Sequence, residues 1–176
     1  MTNQLAIYQL GNPILRQIAA PVSHISDPAI QQLIEQMLDH THRCQGMGLA
    51  APQIGQSLQI LIIASHPNPR YPHAPQMSPM VFINPTVNSH SQSQHPGWEG
   101  CLSIPGWRGR ISRYDWIEIS YRDRTNQTQT LKLTDFPARI FQHEYDHLIG
   151  KVFLDRLASP SDLYTEAEYF AHSSSL

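Results

Sequence analysis

The sequence predicts a single-domain α+β fold, and three observations carry that prediction. The chain has 176 residues, 40 % of them hydrophobic and 15 % charged, which suits one buried core and excludes disorder. Two well-separated segments carry helical signals, one after Asp27 and one after Thr134. The apolar runs around and between them are short, β-branched or alternating, and they do not interleave with helices as βαβ units do.

Each element has its own reason. Asp27 followed by Pro28 reads as an N-cap with proline in the first turn. From there Ile30, Leu33, Ile34, Met37 and Leu38 form one apolar stripe, so a helix is expected at 28–43. Leu58 to Ser65 is β-branched and reads as a buried strand. The stretch HPNPRYPHAPQMSP carries five prolines and reads as an extended surface loop. Val81 to Val87 is a short strand interrupted at Asn84-Pro85, and the polar residues 88–96 read as a flexible connection. Ile117, Ile119 and Tyr121 alternate, as do Leu131 and Leu133, and the polar DRTNQT between them predicts a β-hairpin. The second helix starts near Thr134-Asp135, either of which can cap it, and ends at about Ile149 with Gly150 as its stop. Its apolar residues surround the cylinder, which predicts burial on most sides.

Composition narrows the function classes. A net charge of −2 excludes a general polyanion binder. Five of the ten arginines lie between Arg108 and Arg124 and are expected on an exposed strand face. The longest apolar run, Ile60 to Ala64, is far short of a membrane span, and the N-terminus shows no signal-peptide pattern. Cys44 and Cys101 make no disulfide framework, as in a reducing compartment. Cys44 is expected as a small core residue. Trp98, Trp107 and Trp116 are expected to pack, and His40, His42, His66, His73, His90, His95 and His172 to be exposed.

The second helix carries His143-Glu144-Tyr145-Asp146-His147. Residues four apart share a helix face, so both imidazoles can reach one metal ion and Glu144 a water beside it. With ten His and six Glu in the chain, about 0.02 chance occurrences are expected. The competing reading is a histidine-rich helix with satisfied ring nitrogens, which is costly to bury without a purpose. A catalytic ion needs a third protein ligand. A metzincin continuation fails, because Phe153 stands where the third His belongs. Glu166 or Glu168 would complete a zincin-type endopeptidase, and Cys101 in WEGCLSIPG offers a thiolate. Proximity in sequence does not choose between these.

A third segment, GMGLAAPQIG at 46–55, has glycines that permit close backbone approach and an amide donor in Gln53. GMGLAAPQ, EGCLS and QHEYDHLIG, in this order and spacing, resemble the signature segments of peptide deformylases, and the resemblance runs from about Tyr8 to Leu157. It implies mostly antiparallel sheets around a central His-Glu-x-x-His helix. It implies a catalytic domain at 1–160 but does not cover the tail from about Ala158; from their own composition the last residues, SPSDLYTEAEYFAHSSSL, predict a C-terminal extension at 161–176, a short helix with a flexible serine-rich tail.

By the same resemblance, Cys101, His143 and His147 are the metal ligands and Glu144 is the acid/base. Gln53 and the Leu102 N–H are the oxyanion donors. Met47, Gly48, Glu99, Gly100, Arg108 and Ile140 are expected to contact substrate, with Glu99 and Arg108 pairing either to brace the Cys101 segment, the favoured reading, or simply as a surface ion pair. The implied cofactor is one divalent metal, Fe2+ in the cell, with Zn2+, Ni2+ or Co2+ as substitutes after purification. The implied partners are N-formylmethionyl nascent polypeptides, with the ribosome as a further candidate. No nucleic-acid or membrane partner is expected, and the implied location is a bacterial cytoplasm or an organelle stroma.

Overall fold

The computed structural model describes residues 5–173. Helix α1 (Pro28–Arg43) leads into β1 (Gly48–Ala50), a short 3-10 turn (Ala51–Ile54) and β2 (Ile60–Ile63). Then come β3 (Met80–His90), β4 (Gln94–Cys101), β5 (Ile104–Tyr114), β6 (Trp116–Arg122) and β7 (Thr128–Thr134). Helix α2 (Asp135–Leu148), strand β8 (Leu163–Thr165) and helix α3 (Glu166–Ser173) complete the chain. All pairings between strands are antiparallel, in a five-stranded sheet β1-β2-β3-β6-β7 and a three-stranded sheet β4-β5-β8. This is the single-domain α+β architecture expected.

The local signals act as anticipated in α1, where the Asp27 carboxylate accepts from Ala29 N–H at 2.8 Å. The hairpin forms with Ile117 opposite Leu133 and Ile119 opposite Leu131. Those inward residues join Phe82 on β3 and bury Ala138, Ile140, Phe141 and Leu148 of α2. A second core sits under α1 against β1 and β2, and a third, smaller one under β5 around Ile111, Val152 and Phe153.

Helix α2 begins differently from expectation. Thr134 occupies the N-cap position but its side chain makes no capping bond. Instead Asp135 N–H donates to the Asp115 carbonyl at 2.8 Å, tying the helix start to the β5–β6 junction. The stop is as expected: Gly150 has φ +72°, and a Cβ there would lie 2.7 Å from the Arg16 carbonyl oxygen, so only glycine fits.

Three further expectations need correction. Residues 88–96 are not a flexible connection but the end of β3 and the start of β4, joined through Ser91. The Ser91 hydroxyl accepts from Asp115 N–H at 2.9 Å and donates to the Ser93 carbonyl at 2.7 Å, and His90 stacks on Tyr114. Polarity here marks strands with little cover. The arginine cluster is split: Arg110 and Arg122 are exposed, whereas Arg113 is buried on the face of β5 it shares with Ile111, and Arg108, of opposite parity, is buried against Glu166 and Tyr71. His40 is buried at the end of α1, its Nε2 3.4 Å from Cys44 Sγ, while Cys44 is only half-buried. The serine-rich end of the tail lies outside the described residues.

Candidate active site

A cleft runs along the three-stranded sheet, bounded by the residues after α1, by β4 and β5, by α2 and by the start of α3. At its floor, donor atoms of Cys101, His143 and His147 lie within 4.8 Å of one another. Each donor has a reason to be there. His143 and His147 are one helical turn apart on α2, with ring centroids 5.4 Å apart. Glu99 and Cys101 are two apart on β4 and share a face, and a register irregularity between them disturbs the ladder there. Cys101 Sγ lies 3.3 Å from His147 Nε2.

Behind this group stands a row of buried charges. His143 Nδ1 and Glu99 Oε2 are 2.8 Å apart, so the ring donates there and turns Nε2 toward Cys101. Glu99 in turn accepts from Arg113 Nε at 2.9 Å and Nη2 at 3.0 Å, and from Arg139 Nη1 at 2.9 Å. Arg113 Nη1 donates to Asp146 Oδ2 at 2.6 Å, and Asp146 also accepts from Arg156. Burial alone would raise the pKa of Glu99, but the Arg113 guanidinium and the His143 and Arg113 hydrogen bonds outweigh it and hold the carboxyl well below its usual range.

Burial lowers the pKa of His147 well below its ordinary value, which keeps a ligating imidazole neutral. Burial pulls the same way on His143, yet its hydrogen bonds to Cys101 and Glu99 raise it overall. The ionised Glu99 behind it favours a cation at this point, whether proton or metal. Glu144, 5 % exposed, is pushed up by burial to about 7, and its Oε2 has no hydrogen-bond partner among the described residues. His147 Nδ1 is likewise unpartnered. Two soft-to-borderline nitrogens and a thiol sulfur, converging beside an uncompensated carboxylate, fit a divalent transition metal.

The Gln53 amide is fixed at both ends. Its oxygen accepts from Ala50 N–H at 2.8 Å, so its NH2 faces Cys101 Sγ at 3.5 Å and Ser103 Oγ at 3.3 Å. Met47 and Gly48 form one wall of the cleft, Gly100 and Leu102 another, and Ile140 lies beside His143. The structure thus brings all twelve residues singled out from the sequence together, with His147 buried just behind the surface of the cleft. It does not pair Glu99 with Arg108. Arg113, on the face of β5 that carries Gly109 opposite Glu99, and Arg139 of α2 reach Glu99, while Arg108 donates to Glu166 and to the Tyr71 hydroxyl.

Sequence reasoning missed Arg113, Arg139, Asp146 and Tyr71. A signal existed for Asp146, a carboxylate within a helix apolar on all sides, which must have a cation partner. Tyr71 sits in the proline-rich loop, and nothing local marks it. Trp107 was expected to pack but is 43 % exposed at the cleft. Glu166 lines the cleft but lies outside the metal-ligating group, and Glu168 is exposed near His172.

These features define a metal-dependent hydrolase class, in which a glutamate beside two helix-borne histidines serves as the proton carrier. A profile of the polypeptide deformylase family matches residues 4–162. The chain is 53 % identical to peptide deformylase 2 of Nostoc sp. over 94 % of its own length and 92 % of that protein's. It is 41 % identical to peptide deformylase 1 of Bordetella pertussis, over 92 % of each chain. A Met-Ala-Ser-bound class I type b peptide deformylase from Acinetobacter baumannii superposes with a TM-score of 0.86 at 39 % identity, covering 89 % of this chain and all of that one. A Synechococcus elongatus peptide deformylase in complex with actinonin gives 0.81 at 36 % identity, covering 92 % and 84 %. The chain belongs to the polypeptide deformylase family, and the expectation of a hydrolase acting on N-terminal formyl-methionine stands. The endopeptidase alternative with Glu166 or Glu168 as ligand is not favoured. No described helix is long and apolar enough to cross a membrane.

Proposed function

We propose that this chain releases formate from the N-terminal formyl-methionine of newly made polypeptides, with Cys101, His143 and His147 holding one divalent metal. The observation that carries this reading is the Cys-His-His group beside the buried, unpartnered Glu144 at the floor of a cleft. When bound, the metal supplies Lewis-acid polarisation of the formyl oxygen and lowers the pKa of the attacking water.

The residues do the rest. Glu144, raised toward neutrality by burial, takes the proton of the attacking water and delivers it to the departing methionine nitrogen, leaving formate and a free amine. Gln53, its amide held by Ala50, and the backbone N–H of Leu102 donate to the oxygen that gains charge. Met47, Gly48 and Gly100 offer backbone groups to the substrate chain, and Ile140 lines the pocket for the unbranched methionine side chain. Glu99 acts through His143 as a positioning residue, and Arg108 backs the strand that carries Gly100.

In this reading Fe2+ is the metal in the cell, with Zn2+, Ni2+ or Co2+ able to replace it. The His-Glu-x-x-His helix is the centre about which the sheets assemble, residues 1–160 are the catalytic unit, and 161–176 is an extension of it. The location is a bacterial cytoplasm or an organelle stroma, and the ribosome is a candidate docking partner. The test is formate release from formyl-Met-Ala-Ser alongside metal analysis. Stoichiometric metal with turnover is expected; a metal-replete protein that leaves the peptide formylated overturns the reading.

A further inference from the structure

The C-terminal extension reaches the cleft. Strand β8 pairs with β5 through Trp107 opposite Thr165 and Arg108 opposite Tyr164, and α3 begins at once with Glu166. Glu166 Oε1 accepts from Arg108 Nε at 3.2 Å and Nη2 at 2.8 Å. Arg108 is 2 % exposed: Nη1 donates to the Tyr71 hydroxyl at 2.8 Å, and its guanidinium carbon lies 5.2 to 5.6 Å from the ring centroids of Tyr71, Tyr169 and Phe170. The cation is walled in and neutralised.

Glu166 is not walled in. Its side chain is 37 % exposed, it lines the same cleft as Cys101 and Glu144, and Oε2 accepts no hydrogen bond among the described residues. Of the other charged groups of the cleft, Arg139 and Glu99 bond each other, and Arg70 is anchored to the carbonyls of Cys44 and Gln45 while keeping its charge. A chain entering along this wall meets a carboxylate oxygen where the β5 sequence alone would offer a guanidinium.

We infer that Glu166 is a specificity-determining residue, setting a preference for neutral or basic over acidic side chains in the substrate residues that follow the methionine. The inference rests on the deformylase reading and deepens it. It needs no covalent step: Oε2 accepts from a substrate lysine or arginine and repels a substrate carboxylate, while Oε1 keeps Arg108 from offering the opposite choice. Replacing Glu166 by Gln removes the negative charge and leaves Arg108 uncompensated, so both effects act in the same direction.

The experiment uses the metal-loaded full chain and the peptides formyl-Met-X-Ser and formyl-Met-Ala-X, with X as Asp, Ala or Lys. The readout is the ratio of kcat/KM for the Lys and Asp peptides, which does not depend on how much of a preparation is folded. The unaltered protein is expected to favour Lys. Glu166→Gln should shift that ratio toward Asp by about 2- to 5-fold, mainly through KM and less so at high salt, the size of one partly exposed charge. Glu166→Asp, which keeps the charge, should retain most of the preference. An unchanged ratio in Glu166→Gln overturns the inference. A uniform fall through kcat for every peptide also overturns it, marking Glu166 as structural. Absence of turnover of formyl-Met-Ala-Ser by the unaltered protein strikes the deformylase reading instead.

Discussion

Gly48→Ala tests the geometry around Glu144 with a single methyl group. Gly48 is the first residue of β1, paired with Ile63, and its φ is not in the left-handed region, so alanine is compatible with the backbone. What alanine meets is the carboxylate. A Cβ on Gly48 would lie 2.6 Å from Glu144 Oε1, 2.7 Å from its Cγ and 2.9 Å from its Cδ. An ordinary contact begins near 3.4 Å, so the carboxylate must retreat by about 0.8 Å. Glu144 is 5 % exposed and cannot swing into solvent. A misplacement of this order at a proton-carrying group costs about 10²-fold in kcat, while binding of substrate changes less. The assay is formate release from formyl-Met-Ala-Ser, with metal content and melting temperature measured on the same protein. Gly48→Ala should keep its metal, because the three atoms nearest the new methyl all belong to Glu144 and none to the three donor residues. In a Glu144→Gln background, itself metal-replete and slowed by several orders of magnitude, the Gly48 change should add little, since both act on one group. A kcat within about threefold of the unaltered protein would refute the reasoning, as would full additivity of the two changes.

Other outcomes follow from the same geometry. Cys101→Ala, His143→Ala or His147→Ala should each lose the metal, whereas Glu168→Ala should retain it, as read by metal analysis after dialysis. Arg113→Met leaves Glu99 and Asp146 buried without their shared cation, which costs about 3–5 kcal/mol and lowers the melting temperature by about 6 °C or more. A thermal melt checks this, and a drop under about 2 °C would show that Arg139 and Arg156 suffice. Gln53→Ala should reduce kcat by about 10²–10³, the usual size for one oxyanion donor, with little change in KM.

What was legible in the sequence was what depends on near neighbours. Asp27-Pro28 starts α1, the β6–β7 alternation makes a hairpin, and His143 and His147 fall on one helix face because four residues make one turn. That pairing of histidines needed no tertiary knowledge. Partner choice did: Arg108, Arg110 and Arg113 all lie on β5 within fifteen positions of Glu99, and of the three only Arg113 shares the face of Gly109, the residue opposite Glu99. β4 was invisible because QHPG lacks both alternation and β-branched residues; it is a strand because β5 offers a partner along its whole length. His40 read as polar and solvated, yet the turn that follows α1 folds over it and buries it. The pairing of Arg108 with Glu166 spans 58 positions, beyond the reach of any local pattern.

The cleft is a seam. Gln53 follows β1 in the five-stranded sheet, Cys101 ends β4 in the three-stranded sheet, and α2 carries the two histidines between them. No single sheet owns the chemistry, so turnover works as a gauge of how the two sheets are docked. If the docking of the sheets gives way first on gentle heating, the donors of Gln53, Cys101 and His143 should spread before either sheet loses its own ladder. Catalysis then fades while the far-ultraviolet circular dichroism is still native, and the gap between those two temperatures measures the stiffness of the seam.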